Sequence, residues 1–326
     1  MLLKSVEHIF WLGRYLERLD NTARLVNATS HLLIDSHKDT KFSWPVLLDV
    51  MGLNSSEALA EYQLPADATP EQSSIEHAVM AHLISNKDST VSIRYTCSQL
   101  KFNARTIRQL IPRDMWEELN KLDLFLQQHC QLLQGRQHRY NLMTEVSRRC
   151  QMVVGVLDGV MLRGDAFDLF NSGRLLERAD MTTRIMDVLV LQQLQPTQIK
   201  RPKFRWTSIL NALGGIESYH YYVAEQSGDV DAIDYLLTYA DFPRSIAYCL
   251  NRVAASARTL PHSSNILQQV HALQALLKDQ PLTDLSTEQL HLLIDQIQAG
   301  IINLHQVIVT ANSSQLSQQQ SQQQSA

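Results

Sequence analysis

Between Leu3 and about Ser36, apolar side chains return every three or four residues. Ile9, Leu12, Leu16, Leu19, Ala23 and Val26 fall on one stripe of a helix that turns about 100° per residue. Gly13, Glu17, Asp20 and Arg24 form a second stripe along one edge of the first, and Arg14 and Arg18 fall roughly opposite it. This pattern predicts a long helix with Glu17 close to the core. Arg24 follows Asp20 by four residues, a favourable order for an acid–base pair along a helix.

The rest of the chain reads the same way. A short helix is expected after Phe42-Ser-Trp-Pro45, where Pro45 suits a first turn, and Gly52 suits its end. A loop over 63–70 leads to a helix from about Glu71 to Ser85. Asp88 and Asp241 stand where N-caps belong, before helices of about Ser89 to Leu110 and Pro243 to Leu260. Two further helices close each half: Pro112 to Leu133 and His138 to Leu162, then Ser263 to Leu277 and Ser286 to Thr310. Ser286-Thr-Glu-Gln289 has the spacing of a capping box. Shorter helices are expected near Ile216 to Gln226 and Val230 to Tyr239. Residues after Ser313 are almost only Ser and Gln, which cannot bury apolar surface, so a disordered tail is expected.

The first pattern occurs twice. Phe10-Trp-Leu-Gly-Arg-Tyr-Leu-Glu-Arg-Leu-Asp-Asn-Thr-Ala-Arg-Leu25 returns as Phe170-Asn-Ser-Gly-Arg-Leu-Leu-Glu-Arg-Ala-Asp-Met-Thr-Thr-Arg-Ile185, a shift of 160 without a gap. Gly13, Arg14, Glu17, Arg18, Asp20 and Arg24 thus recur as Gly173, Arg174, Glu177, Arg178, Asp180 and Arg184 in a helix of about Asp165 to Gln193. Trp44 and Gly52 recur as Trp206 and Gly214, and Arg105 recurs as Arg258. The expected fold is all-α: two duplicated helical-bundle halves, 1–162 and 163–312, related by an approximate pseudo-twofold, with 313–326 as the tail. The two motif helices should lie side by side near the axis.

The repeated Gly-Arg-Tyr-Leu-Glu-Arg-Leu-Asp-Asn-Thr-Ala-Arg stretch resembles the signature of the alpha-E family, bacterial helical proteins named for their Glu-Arg motif and typically built by tandem duplication. The resemblance runs from Leu3 to about Thr310. It departs from the family where an Arg-Glu-Asn-Ala-Arg run is usual, since Lys101-Phe-Asn-Ala-Arg105 and Ala255-Ser-Ala-Arg258 lack the Glu. It implies a setting beside circularly permuted ATP-grasp ligases and transglutaminase-like proteases, in a peptide synthesis or modification system.

Composition narrows the classes. Of the 326 residues 44% are hydrophobic, and only 11 are Gly and 9 Pro, which favours long helices. A net charge of −4 gives no sign of a nucleic-acid surface. Cys97, Cys130, Cys150 and Cys249 form no Cys-x-x-Cys and read as free buried thiols in a reducing, cytoplasmic setting. Charges interrupt any signal-peptide core near the N-terminus, and no stretch is expected to be long enough to span a membrane.

Catalytic signatures are scarce. There is no Gly-rich phosphate loop, nucleophile elbow or zinc pattern. Glu217-Ser-Tyr-His220 fits half of a di-iron motif, but the first half offers Glu57 and Glu61 without a matching His, so neither metal nor cofactor is expected. The candidate site is therefore the repeated charged set: Arg14, Glu17, Arg18, Asp20, Arg24, Arg174, Glu177, Arg178, Asp180 and Arg184, joined by Arg105 and Arg258. It reads either as a buried network between the halves or as a pocket for an anion. Three functions follow from these alternatives: a non-catalytic partner or scaffold, an enzyme acting on a carboxylate- or phosphate-bearing substrate, and a dimerisation module.

Overall fold

A computed structural model describes residues 3–35, 44–60, 72–130, 135–194, 209–225, 232–260, 263–278, 282 and 285–311. Every regular element among the described residues is a helix, with no strand among them. Four elements surround the first motif: α1 (Leu3–Asp35), α5 (Ile93–Thr106), α6 (Arg113–His129) and α7 (Arg136–Val160). Four surround the second: α8 (Asp165–Leu194), α11 (Ile246–Ala257), α12 (Ser263–Leu276) and α13 (Thr287–Ala311). Between them run the short helices α2 (Val46–Val50), α3 (Ser55–Ala60), α4 (Gln72–Met80), α9 (Ile216–Glu225) and α10 (Ala232–Thr238). α4 runs on into a π-helical turn, Ala81–Ser85, so the single helix expected there is in fact α followed by π.

The two motif helices pack against each other and form the centre. α1 also packs on α5 and α7, and α8 on α11 and α13; α6 bridges α5 to α7 as α12 bridges α11 to α13. All six stripe residues of α1 are buried, and so are their counterparts Leu169, Ser172, Leu176, Ala179, Thr183 and Met186. The second stripe thus contains two hydroxyls. Thr183 donates to the Asp180 carbonyl one turn back at 2.7 Å. With neighbours on several sides, α1 also buries its supposedly outward Arg14, which is 8% exposed.

Two glycines allow the backbones to meet. A Cβ placed on Gly13 would stand 2.1 Å from the Phe170 carbonyl oxygen, and one on Gly173 2.2 Å from that of Phe10. Phe10 and Phe170 are themselves fully buried. The contact is reciprocal: each motif's Gly faces the other motif's Phe backbone.

Several local expectations change. The caps of α5 and α11 are Ser92 and Ser245, whose hydroxyls accept from Tyr95 N and Tyr248 N, both at 3.0 Å. Asp88 and Asp241 lie too far upstream to cap, because a tight turn intervenes before each helix. The capping box at α13 forms, with Ser286 N donating to Gln289 Oε1 at 2.8 Å and Gln289 N to Ser286 Oγ at 3.2 Å. Thr287–Thr310 is long and apolar enough by length and composition to cross a membrane, contrary to the sequence reading; its Ile- and Leu-rich stretch carries few charges. In this fold α13 packs on α8 and α12 through Leu290, Ile294, Ile297, Ile301, Leu304 and Ile308. Trp44 is a buried core residue, whereas Trp206, the loop over 63–70 and the Ser/Gln tail lie outside the described residues.

Replacing Gly by Ala inside an ordinary helix stabilises it by about 1 kcal/mol. Here the sign should reverse. Gly13→Ala and Gly173→Ala should each lower stability by about 1–3 kcal/mol or more, because the new methyl meets backbone rather than a movable side chain. Denaturant unfolding of the two variants measures this; a gain in stability would mean that α1 and α8 do not touch there.

Candidate functional site

At the α1–α8 crossing, each Glu-Arg pair binds the other. Arg18 grips Glu177 in a fork, Nε donating to Oε1 at 2.5 Å and Nη2 to Oε2 at 3.1 Å. Arg178 grips Glu17 in the same way, at 2.7 and 2.9 Å. A second guanidinium joins each carboxylate: Arg14 Nε lies 2.6 Å from Glu177 Oε2, and Arg174 Nε lies 3.4 Å from Glu17 Oε2. Glu17 and Glu177 are 3% and 2% exposed, so water cannot replace these partners.

The aspartates extend the set. Asp20 accepts from Arg24 Nε at 2.9 Å, and Asp180 from Arg184 Nε at 3.1 Å, the intrahelical pairs that the spacing predicts. Each Arg then reaches a glycine turn of the other half. A Cβ on Gly214 would lie 3.3 Å from Arg24 Nη1, and one on Gly52 would lie 2.7 Å from Arg184 Nη1. Both glycines have positive φ, +82° and +64° for Gly52 and Gly214, which other residues rarely adopt.

Four participants escaped the sequence reading. Arg244, just before the Ser245 cap, donates to Asp20 Oδ2 at 2.8 Å and to Asn21 Oδ1 at 2.5 Å, and stands 3.5 Å from Glu17. Ser147 donates to the other oxygen of Asp20. His305 accepts from Arg14 Nη1 at 3.0 Å through Nδ1, since a guanidinium has only hydrogens to offer. None of the four repeats, so the recurring pattern does not mark them; Arg244, for example, stands where the earlier segment has Val91. Conversely, Arg105 and Arg258 do repeat but are exposed and stand outside the network. Their helices turn their buried faces elsewhere, through Asn103, Ala104 and Ile107 and through Val253, Ala254 and Ala257.

The other candidate chemistry disperses. Glu217 and His220 are exposed on α9 and Glu57 on α3, while Glu61 lies outside the described residues. Among the described residues a different trio gathers: His291 sits 2.6 Å from Asp187 and 3.6 Å from the exposed Asp295. Its hydrogen bond to Asp187 raises the imidazole pKa and ties α8 to α13. All four cysteines are free and buried. Burial pushes their thiols up, Cys130 and Cys249 to about 12, so little thiolate forms at neutral pH.

Charge states follow from the geometry. Burial by itself raises the Glu177 pKa, but Arg14 and Arg18 outweigh it and hold the carboxyl at about 2. Glu17 is likewise held well below the usual range, burial being opposed by Arg178, Arg244 and Arg174. His305 is depressed to about 4 by burial first and by Arg14 second, so it is neutral at pH 7.

The Alpha-E family model, described as a predicted alpha-helical domain with a conserved ER motif, matches residues 1–311. Among curated proteins, an uncharacterised protein of Mycobacterium bovis is 23% identical over 272 residues, 80% of this chain and 30% of the relative. An uncharacterised protein of Mycobacterium tuberculosis strain H37Rv is 22% identical over the same shares. The chain therefore spans less than a third of the length of these relatives. No solved structure matches it.

Removing one partner of a buried ion pair leaves the other uncompensated. Glu17→Gln and Glu177→Gln should each cost about 3–5 kcal/mol, read by chemical denaturation at pH 7. The pH dependence has a defined sign. His305 has a folded pKa below its ordinary 6.5, so the unfolded chain binds the extra proton and stability falls between pH 6.5 and about 4. The two glutamates have folded pKa values below their ordinary 4.5, so their contribution is full above pH 4.5 and is lost toward pH 2 and below. Stability that stays flat from pH 6.5 to 3 would contradict this.

Proposed function

The chain belongs to the Alpha-E family, and on that premise we propose that it is a non-catalytic helical partner or scaffold in a peptide synthesis or modification system. The partners on this reading are a circularly permuted ATP-grasp protein and a transglutaminase-like protein, in the cytoplasm, without nucleic acid or membrane. One observation carries it. The motif's Glu17 and Glu177 are taken up by the opposite helix's guanidinium groups, so the most prominent charges hold the scaffold together. Arg178 is fully engaged: its remaining Nη1 donates to the Pro243 carbonyl at 3.1 Å.

Two further findings support the reading. The matched part makes up 30% of each relative, as suits a module that works beside other chemistry. Four free cysteines suit a reducing compartment. We also infer that residues 1–162 and 163–312 are duplicated halves related by an approximate twofold; the exchanged contacts of Gly13 with Phe170 and Gly173 with Phe10 support it.

The enzyme reading, with a carboxylate- or phosphate-bearing substrate, draws on a different observation: guanidinium groups outnumber carboxylates in the network, most of all around Glu17 and Asp20, where four face two.

The partner reading is tested by mixing the purified chain with the ATP-grasp and transglutaminase-like proteins of the same genome on a sizing column. A stable complex with at least one is expected, with no turnover by this chain alone. Separate elution from both, or turnover of a small molecule by the isolated chain, overturns it.

A further inference from the structure

The charged network is less even than the repeat that supplies it. Around Glu177 and Asp180 stand three guanidinium groups, those of Arg14, Arg18 and Arg184. Around Glu17 and Asp20 stand four, those of Arg24, Arg174, Arg178 and Arg244. The surplus is Arg244, whose side chain is only 9% exposed. Burying a further cation without its own anion is costly. Burial accordingly lowers the pKa of Arg244 and Arg174, whereas Arg178, with its carboxylate fork, is raised despite burial.

A cavity of about 360 Å³ opens at this end, lined by Arg24 and Arg244. That volume falls within the range of small-ligand sites. Arg24 and Arg244 converge on the same Asp20 oxygen, so two guanidinium groups border one space. Arg24 uses Nε for Asp20, and its other nitrogens have no acceptor among the described residues. Gly214 keeps that edge free of side chain.

Four aromatic residues supply much of the remaining wall. Tyr235 stacks between Tyr239 and Phe242, with centroids 5.2 and 5.0 Å away and planes tilted by 25° in each case. All three line the cavity, and Tyr221, 66% exposed, stands at its mouth. The wall is not inherited from the duplication. Ser245 Oγ donates to the Tyr239 carbonyl as Ser92 Oγ does to that of Asn86, which fixes the correspondence at 153 residues. On that register Tyr239, Phe242 and Arg244 replace Asn86, Ser89 and Val91. Here an added cation and added rings meet at one opening.

We propose that this cavity is a binding site for a ligand carrying a carboxylate or phosphate on a planar apolar body. The anion faces Arg24 and Arg244, and the planar body lies along the tyrosine wall. Asp241, also lining the cavity, disfavours a second anionic group on the ligand and accepts from a donor on it. The site stands whether or not the chain acts through a partner protein.

Four probes test it by calorimetry on the full chain: 3-phenylpropionate, phenyl phosphate, inorganic phosphate and 3-phenylpropanol. One of the two ring-bearing anions should bind saturably, and about tenfold or more tighter than the bare anion or the bare alcohol. Which of the two binds tells carboxylate from phosphate. Arg24→Gln should weaken binding by about tenfold, and Tyr221→Ala, at the exposed mouth, should weaken it several-fold while the melting temperature stays unchanged. No saturable binding of either ring-bearing anion to the wild-type chain into the millimolar range overturns the proposal. Affinity unchanged in both variants overturns it too.

Discussion

The structure depends on two buried carboxylates that each need guanidinium groups from another helix. A carboxylate at the centre of a helical bundle loses its water, and desolvation alone would make it a weak acid or unfold the site. Glu17 and Glu177 stay ionised because the partner helix brings Arg178 and Arg18 in fork geometry, with Arg174 and Arg14 behind them. The Glu-Arg dipeptide thereby gains a physical meaning. Neighbours in sequence point to different places around a helix, so Glu17 and Arg18 do not serve each other. Each serves the other copy, and one helix without the other would leave two buried charges unpaired.

That requirement governs the neighbouring design. The forks reach only if α1 and α8 come close, and Gly13 and Gly173 remove the side chains that would hold the backbones apart. Arg24 and Arg184 carry the same network outward to the turns at Gly214 and Gly52.

Around the two motif copies the surroundings differ. His305 faces Arg14 as a neutral acceptor on one side, while Arg244 adds a cation on the other, where the tyrosines gather. Repeated residues form the forks at the crossing, and unrepeated ones make their surroundings unlike.

Periodicity and a recurring stretch within the sequence were enough to determine the all-α class, the long motif helices, the Asp20–Arg24 and Asp180–Arg184 pairs and the glycine turns. Each is a local matter of residues three or four apart, or of backbone freedom at one position. The burial of Arg14 was not legible, because a helical wheel ranks the faces of one helix and cannot count the helices around it. Nor was the crossed pairing, since Glu17 and Arg178 are 161 positions apart and meet only when α1 and α8 pack. Arg105 and Arg258 repeat as faithfully as the network residues, yet the orientation of α5 and α11 turns them to solvent. Arg244 repeats nothing, and the turn before α11 aims it at Asp20. Tertiary packing alone decided which charges face one another, because Coulombic and hydrogen-bond partners are chosen by distance in space, whereas sequence spacing reports distance only within a single helix.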